Sequence, residues 1–165
     1  MSYSNFEKGQ ELAKQCEGYD ISGKSDETIM KASKLLNIKF SKQTYKYFNE
    51  IGYLDYFGSA FLGIIVDDFS GAPADNCVET ALAERAEYNL PEEWLPIYDF
   101  DDGEMGYLDY SQLNDEGEPP VIIASYNGEE YVVIERFTED LGDLILMMVE
   151  EDLEIQQQEQ WKLFN

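Results

Sequence analysis

Apolar residues recur at helical spacing through the first fifty residues of the chain. Ser4 is placed to begin a first helix that runs to about Cys16, and Ser25 or Asp26 is placed to begin a second that ends near Asn37. The residues expected to face inward are three or four positions apart: Phe6, Leu12 and Ala13 in the first helix, and Ile29, Ala32, Leu35 and Leu36 in the second. The chain therefore opens with a layer of short amphipathic helices.

A third helix is predicted from Ser41 to Gly52, because glycine is common at the position just after a helix. Its inward-facing residues are expected to be Tyr45, Phe48 and Ile51. This helix completes the N-terminal helical layer.

Segments rich in β-branched and aromatic residues predict strands after the helical layer. The first, YFGSAFLGIIV at 56–66, contains two glycines, which favours a strand or a bent hairpin. The later candidates are apolar runs bounded by turn residues: Leu95–Phe100, Met105–Tyr110, Val121–Tyr126 and Glu130–Phe137. Asn127-Gly128 is a strong hairpin signal and joins the last two runs.

Two further helices complete the pattern. A fourth is predicted from Val78 to Tyr88, capped by Asp75 or Asn76. Thr138 is predicted to cap the last helix, whose apolar stripe consists of Leu141, Leu144, Ile145, Met148 and Val149. Because helices come first, strands follow and a helix closes the chain, the pattern predicts an α+β fold with N-terminal helices, a central antiparallel sheet and a closing C-terminal helix.

The length and apolar content predict one domain over residues 1–165. We expect its core at about residues 26–149, preceded by an N-terminal helix and loop over 1–24 and followed by an acidic tail over 150–165. The tail ends in three large apolar residues, Trp161, Leu163 and Phe164, and its sequence leaves open whether they dock on the body or fray.

The charge of the chain is divided unevenly. Residues 1–46 hold eight of the eleven basic residues against six acids, a net charge of +2. From Tyr47 onward the chain has twenty-nine acids and three basic residues, a net charge of −26. The two parts together give the net charge of −24 for the whole chain. Such a field repels nucleic acid and membranes of anionic lipid, and it attracts basic proteins. A basic protein is the expected partner, facing the sheet side and the closing helix rather than the first three helices.

Candidate chemistry is sparse. Cys16 and Cys77 are too few and too far apart in sequence for a disulfide framework or a metal site. The chain has no histidine, so it lacks the commonest general base and metal ligand, which counts against a hydrolase. The apolar runs are too short to span a bilayer and no signal peptide is evident, so we expect a soluble cytoplasmic protein.

Residues 18–25, GYDISGKS, match the P-loop pattern G-x-x-x-x-G-K-[ST]. In that interpretation Lys24 binds the terminal phosphates and Ser25 binds magnesium. A P-loop follows a buried β-strand, however, whereas residues 7–17 are charged and predicted to be helical. We therefore favour an interhelix loop with a capping serine and keep nucleotide binding as an alternative.

Two acidic groups are candidate partner-binding residues. Asp67 and Asp68 follow the first strand candidate. The second group surrounds the turn between two later strands and combines carboxylates with aromatic rings: Trp94, Tyr98, Asp99, Asp101, Asp102, Glu104, Tyr107 and Asp109. Counted from Asp99, this turn does not fit the calcium loop of an EF-hand. Because aromatic residues are enriched in interface hot spots and charge speeds association, we expect both groups to bind a protein.

Several short motifs occur in a fixed order along the chain. They are ETIMKASKLLN at 27–37, FSKQTYKYFNEIG at 40–52, the glycine-containing strand at 57–64, Leu90-Pro91, Leu95-Pro-Ile, Asp101-Asp-Gly-Glu104 leading into Tyr107-Leu-Asp, Glu118-Pro-Pro-Val-Ile, and Phe137 before the last helix. Together, from Asp26 to about Val149, they resemble the SUKH superfamily of immunity proteins, which is related to a fungal regulator of cell-wall synthesis. One departure is Phe40-Ser41, where the family usually has Leu-Pro.

The resemblance implies a binding module rather than an enzyme, and we predict no catalytic, cofactor or metal site. Bacterial members are similar to immunity proteins encoded beside secreted polymorphic toxins, so we expect an antitoxin that binds its cognate toxin, a basic nuclease domain of the LXG type, and blocks the active site. A nuclease presents a basic surface to phosphates, which agrees with the acidity of this chain. Two alternatives remain, namely a P-loop nucleotide-binding protein and an acidic DNA mimic that inhibits a DNA-binding protein.

Overall fold

The computed structural model describes residues 2–16, 22–56, 59–65, 69 and 76–165 of the chain. The helices of this part are α1 (Ser2–Gln15), α2 (Asp26–Leu36), α3 (Lys42–Lys46), continued by a π-helical segment (Tyr47–Ile51), α4 (Cys77–Tyr88) and α5 (Leu141–Phe164). The strands are β1 (Asp55–Tyr56), β2 (Ser59–Phe61), β3 (Trp94–Asp99), β4 (Met105–Asp109), β5 (Val121–Tyr126) and β6 (Tyr131–Thr138). The predicted α+β class is confirmed.

The six strands form one antiparallel sheet in the order β1-β2-β3-β4-β5-β6. Of the two forms predicted for residues 56–66, a strand or a bent hairpin, the structure has a hairpin with shorter bounds: β1 and β2, in which Asp55 pairs with Ala60 and β2 ends at Phe61. In this up-and-down arrangement, the β3–β4 turn and the β5–β6 turn lie at the same end of the sheet. That end carries the site described below.

The central strands are covered on both faces. On one face, Leu95, Leu108 and Val121 join the main core, to which α1, α2, α4, α5 and the π-helical segment also contribute. On the other face, Trp94, Tyr107, Ile122 and Ala124 form a second cluster with Leu90, which follows α4. Helix α4 also contacts β3. The middle of β3, β4 and β5 is thereby apolar or aromatic on both faces, and the acidic residues of β3 and β4 stand at strand ends.

Local sequence accounts for most helix starts. Three predicted caps are confirmed, because the side chains of Ser25, Ser41 and Asn76 accept hydrogen bonds from the backbone N–H groups of Thr28, Thr44 and Val78 respectively. The predicted cap Thr138 is wrong, since Thr138 is the last residue of β6. Asp140 caps α5 instead, through a 2.9 Å hydrogen bond from the Asp143 N–H. A carboxylate is also the better acceptor beside the positive end of a helix dipole.

Two predicted helical features differ from the structure. Leu35 was expected to face inward but is 45% exposed, because Ile29, Ala32 and Leu36 already fill the buried stripe of α2. Helix α5 continues beyond residue 149 to Phe164, through a segment that contains no glycine or proline. The start of the tail packs on the body, since Asp152 is 3% exposed and Leu153 contacts the main core, whereas Trp161 and Phe164 at its end are 66% and 87% exposed on the helix.

The third helix ends in a π-helical segment, which the apolar spacing did not predict. The Gly52 N–H donates to the Tyr47 carbonyl at 2.7 Å, five residues back. Gly52 has φ +75°, and a Cβ atom there would lie 2.0 Å from the Ser22 carbonyl oxygen. Only glycine allows the loop before α2 to approach this closely.

Gln43, which is 1% exposed, joins the starts of α3 and α5 inside the protein. Its side-chain Nε2 donates to Asp140 Oδ2 at 3.1 Å, and its Oε1 accepts from the Gly142 N–H at 2.8 Å. Its own backbone N–H donates to Glu118 Oε2 at 3.2 Å. Burial raises the pKa of Glu118, and the Asp140 carboxylate raises it further. Gln43 therefore supplies hydrogen bonds to the buried carboxylates of Asp140 and Glu118. The described hydrogen-bond partners of these two carboxylates include no basic side chain.

Replacing Gln43 with alanine removes two hydrogen bonds and leaves the buried Asp140 carboxylate and the Gly142 N–H short of a partner. We expect Gln43→Ala to lower the free energy of unfolding by about 3 kcal/mol, measured by urea denaturation. Gln158→Ala is the matched control, because Gln158 is exposed on α5, and it should change stability by less than about 0.5 kcal/mol. Equal effects of the two substitutions would contradict this role for Gln43.

Candidate functional site: the acidic end of the sheet

The β3–β4 turn is organised by its own carboxylates. The Asp101 N–H donates to Asp99 Oδ1 at 2.8 Å, and the Glu104 N–H donates to Asp102 Oδ1 at 2.9 Å. Asp101 and Gly103 take positive φ values of +62° and +91°, which aspartate and glycine tolerate in turns. Asp101 and Asp102 are exposed, while Asp99 and Glu104 are half-buried. The turn thus presents four carboxylates, two of which fix its backbone.

A second acidic turn lies beside the first. Asn127 Oδ1 accepts hydrogen bonds from the N–H groups of Glu129 and Glu130 at 2.8 and 2.9 Å, and both glutamates are exposed. Because Met105 of β4 pairs with Ala124 of β5, the two turns are neighbours at one end of the sheet. Neither turn contains a lysine or arginine. We call the six carboxylates of this region the acidic end: Asp99, Asp101, Asp102, Glu104, Glu129 and Glu130.

Sequence reasoning missed Glu129 and Glu130 as site residues. The hairpin signal Asn127-Gly128 located their turn, and only the order of the strands places it next to the β3–β4 turn. Asp67 and Asp68, the other predicted acidic pair, lie outside the described residues.

The predicted aromatic residues lie in the interior, at 8% exposure for Trp94, 3% for Tyr98 and 1% for Tyr107. The rings of Trp94 and Tyr107 are 5.3 Å apart between centroids and pack in the second cluster. Tyr98 packs edge-on against Phe61 on the opposite face. These rings hold the strands that carry the acidic end, and in this structure they do not face solvent.

Asp109 is also placed away from the acidic end. It pairs with Trp94 at the opposite end of β3 and β4, and it is 3% exposed. Its Oδ1 accepts from the Ser111 N–H at 3.0 Å, and its Oδ2 accepts from Gln112 Nε2 at 2.6 Å. Asp109 therefore stabilises the turn after β4. Of the predicted site residues, the structure brings together Asp99, Asp101, Asp102 and Glu104.

Glu84 of α4 lies between the helix and the sheet. Its Oε1 accepts hydrogen bonds from the Tyr107 and Tyr131 hydroxyls, each at 2.9 Å. Burial raises the pKa of Glu84, the two phenols partly oppose this rise, and the charge of Asp99 adds to it. Burial and the Glu84 carboxylate also raise the pKa values of both tyrosines. Sequence reasoning missed Glu84, since nothing in the sequence of α4 marks it as buried.

The segment that matches the P-loop pattern has a different structural role. Helix α1 precedes it, and the sheet is antiparallel, so the strand that a P-loop requires is not present in this part of the described chain. The Ser22 and Lys24 N–H groups donate to the Ile51 and Phe48 carbonyls at 3.0 and 2.9 Å. Two amides that would bind phosphate in a P-loop are already occupied. Residues 17–21 lie outside the described residues.

The remaining chemistry of the chain is limited. Cys16 and Cys77 are buried free thiols, and burial is the main cause that raises their pKa values, to about 11 and about 12. Over the described residues, no group of three or more His, Cys, Asp or Glu side chains is arranged to hold a metal ion. None of the described helices is both long enough and apolar enough to cross a membrane.

The fold and the site define an α+β domain whose main chemical feature is a concentrated acidic surface. The family model SUKH_5, described as SMI1-KNR4 cell-wall, matches residues 5–146, and the chain belongs to this family. The match extends from α1 into α5, so it includes the helix that precedes the predicted core. No curated protein matches the chain. Membership supports an immunity-protein-like role in general, and the family is generally non-enzymatic.

The raised pKa of Glu84 predicts how stability depends on pH. Because the folded state holds this proton more tightly than the unfolded chain, the ionised carboxylate destabilises the fold, and the penalty is removed as the pH falls from 7 toward the ordinary glutamate value of 4.5. We expect the free energy of unfolding to rise more between pH 7.5 and 5.5 in the wild type than in Glu84→Gln, measured by urea denaturation at each pH.

The matched control for this comparison is Glu87→Gln, which changes an exposed glutamate on the same helix. It should keep the pH dependence of the wild type. If Glu84→Gln and the wild type gained the same stability on acidification, Glu84 would not be the group responsible.

Proposed function

We propose that the protein is a cytoplasmic antitoxin that binds a basic toxin domain through the acidic end and blocks access to the toxin's substrate without performing chemistry. The observation that carries this proposal is the grouping of six carboxylates in two adjacent turns that contain no basic residue. Family membership supports the general role. A nuclease domain is the toxin class that we favour, because its substrate-binding surface is basic.

The proposed mechanism separates attraction from blockade. The net charge of −24 draws a basic partner from a distance, and the acidic end concentrates that field at one place on the surface. The hydrogen bonds within the turns fix the backbone that carries the carboxylates, and they hold the Asp99 and Asp102 side chains themselves before binding, which lowers the entropy lost on association. A toxin surface that binds phosphates would then contact carboxylates in their place.

The two alternative functions receive less support. Nucleotide binding is disfavoured, because the Ser22 and Lys24 amides, which would bind phosphate in a P-loop, donate to backbone carbonyls instead. DNA mimicry requires carboxylates at phosphate-like spacing along an extended surface, whereas the acidic end is confined to two neighbouring turns. A compact acidic surface is better suited to a local basic site on a protein.

The proposal is tested with the toxin domain encoded by the neighbouring gene. We expect the triple variant Asp101→Asn, Asp102→Asn, Glu104→Gln to associate with this domain at least about tenfold more slowly than the wild type at low salt, because local charge sets the association rate. Raising the ionic strength to physiological values should reduce the difference. Stopped-flow fluorescence or surface plasmon resonance would measure the rates.

A second triple variant serves as the control for net charge. Glu7→Gln, Glu11→Gln and Glu27→Gln remove the same number of charges from exposed positions on α1 and α2. This variant should associate within about twofold of the wild-type rate. Equal slowing by both triple variants would show that total charge, rather than the acidic end, governs association. Failure of the wild type to bind the toxin would reject the proposed function.

A further inference from the structure

A cavity lies next to the acidic end, between α4 and the ends of β3 and β4. Its volume is about 380 Å³, within the range of pockets that hold small ligands or side chains. Leu62, Ala83 and Met105 give it apolar walls, and most of its surface is apolar. Asp99 and Met105, which flank the β3–β4 turn, both line the cavity. It is therefore continuous with the proposed binding surface.

Three carboxylates also line this apolar cavity. Glu79 and Glu84 come from α4, and Asp99 comes from β3. The described lining includes no lysine or arginine. The nearest basic residue in sequence, Arg85, is engaged elsewhere, because its Nη1 and Nη2 donate to the Leu36 and Glu92 carbonyls at 2.9 and 2.7 Å. The negative charge of the cavity thus has no described internal counterion.

Glu84 also retains unused capacity to accept hydrogen bonds. Both tyrosine hydroxyls donate to Oε1, whereas the buried Oε2 has no hydrogen-bond partner among the described residues. Such a buried oxygen without a donor costs free energy, which a cationic donor nearby would offset. The raised pKa of Glu84 agrees with this description of a carboxylate removed from water without a counterion.

We infer that this cavity binds one arginine side chain of the partner protein. The apolar walls suit the aliphatic stem of arginine, and the carboxylates on α4 and β3 suit its guanidinium group. Arginine fits better than lysine, because guanidinium is less strongly hydrated and its planar set of five N–H donors reaches acceptors on two elements at once. This inference rests on the proposed function, since it names the feature of the basic partner that the site recognises.

The inference can be tested on the full chain without the toxin. N-acetyl-arginine amide is the probe, and uncharged N-acetyl-citrulline amide has nearly the same shape. We expect the arginine compound to shift the methyl NMR signals of Leu62, Ala83 and Met105 with a Kd on the order of 1 mM. The citrulline compound should bind at least about tenfold more weakly, because it lacks the charge.

Two pairs of variants locate the binding. Ala83→Phe fills the cavity and should abolish the shifts, whereas Ala86→Phe, at an exposed position on α4 outside the described lining, should leave them unchanged. Asp99→Asn keeps an acceptor for the turn and should weaken binding about tenfold, whereas Asp101→Asn should have less than a twofold effect. Ala86→Phe also controls for the effect of adding a ring to α4.

Two outcomes would overturn the inference: citrulline amide binding as well as arginine amide, or Ala83→Phe leaving the shifts in place. Toxin binding distinguishes this failure from failure of the proposed function. A toxin that binds the wild type and Ala83→Phe equally well would reject the cavity while leaving the acidic end as the interface. If the toxin binds neither protein, the proposed function is rejected, and the arginine titration alone decides whether the cavity is a cation site.

Discussion

Burial of the central strands on both faces governs where this chain places its charged side chains. β3, β4 and β5 pack against the main core on one side and against the second cluster on the other. A charged side chain in the middle of either face would lose its hydration without a partner. The carboxylates of these strands are therefore found mainly at strand ends and in turns. The acidic end results from both facts: the chain is rich in acids, and its central strands accommodate them only at their ends and in turns.

The buried carboxylates also need hydrogen-bond donors in place of the water that they lose. Glu84, Glu118 and Asp140 lie beneath the surface, and the described structure compensates them with neutral donors rather than ion pairs. Tyrosine hydroxyls, a glutamine amide and backbone N–H groups supply those hydrogen bonds. The compensation is incomplete, because Glu84 Oε2 and Glu118 Oε1 have no hydrogen-bond partner in the described part of the chain. Glu118 is 3% exposed, whereas Glu84 lines the cavity beside the acidic end.

In the proposed function, binding is divided between two kinds of residue. Exposed carboxylates in the turns act over a distance and favour rapid encounter with a basic protein. Partly buried carboxylates of the open cavity act only at contact, where a bound side chain displaces water and the ion pair strengthens. The front helices contribute little to either effect, since residues 1–46 carry no net negative charge, and some of their lysines lie beside acidic or aromatic groups. Lys8 lies 3.8 Å from Glu150, and Lys42 lies 3.6 Å from the ring centre of Tyr3.

The class of fold, most helix starts and the position of the acidic turn could be predicted from the sequence, because these depend on spacing and side-chain chemistry within a few residues. Ser25, Ser41 and Asn76 show this, since each cap bonds an amide two or three residues away. Three features could not be predicted in this way: Trp94 and Tyr107 are interior, Glu129 and Glu130 lie beside the acidic turn, and Glu84 borders a cavity. Each of these depends on contacts between residues far apart in the chain, and strand order and helix crossing set those contacts.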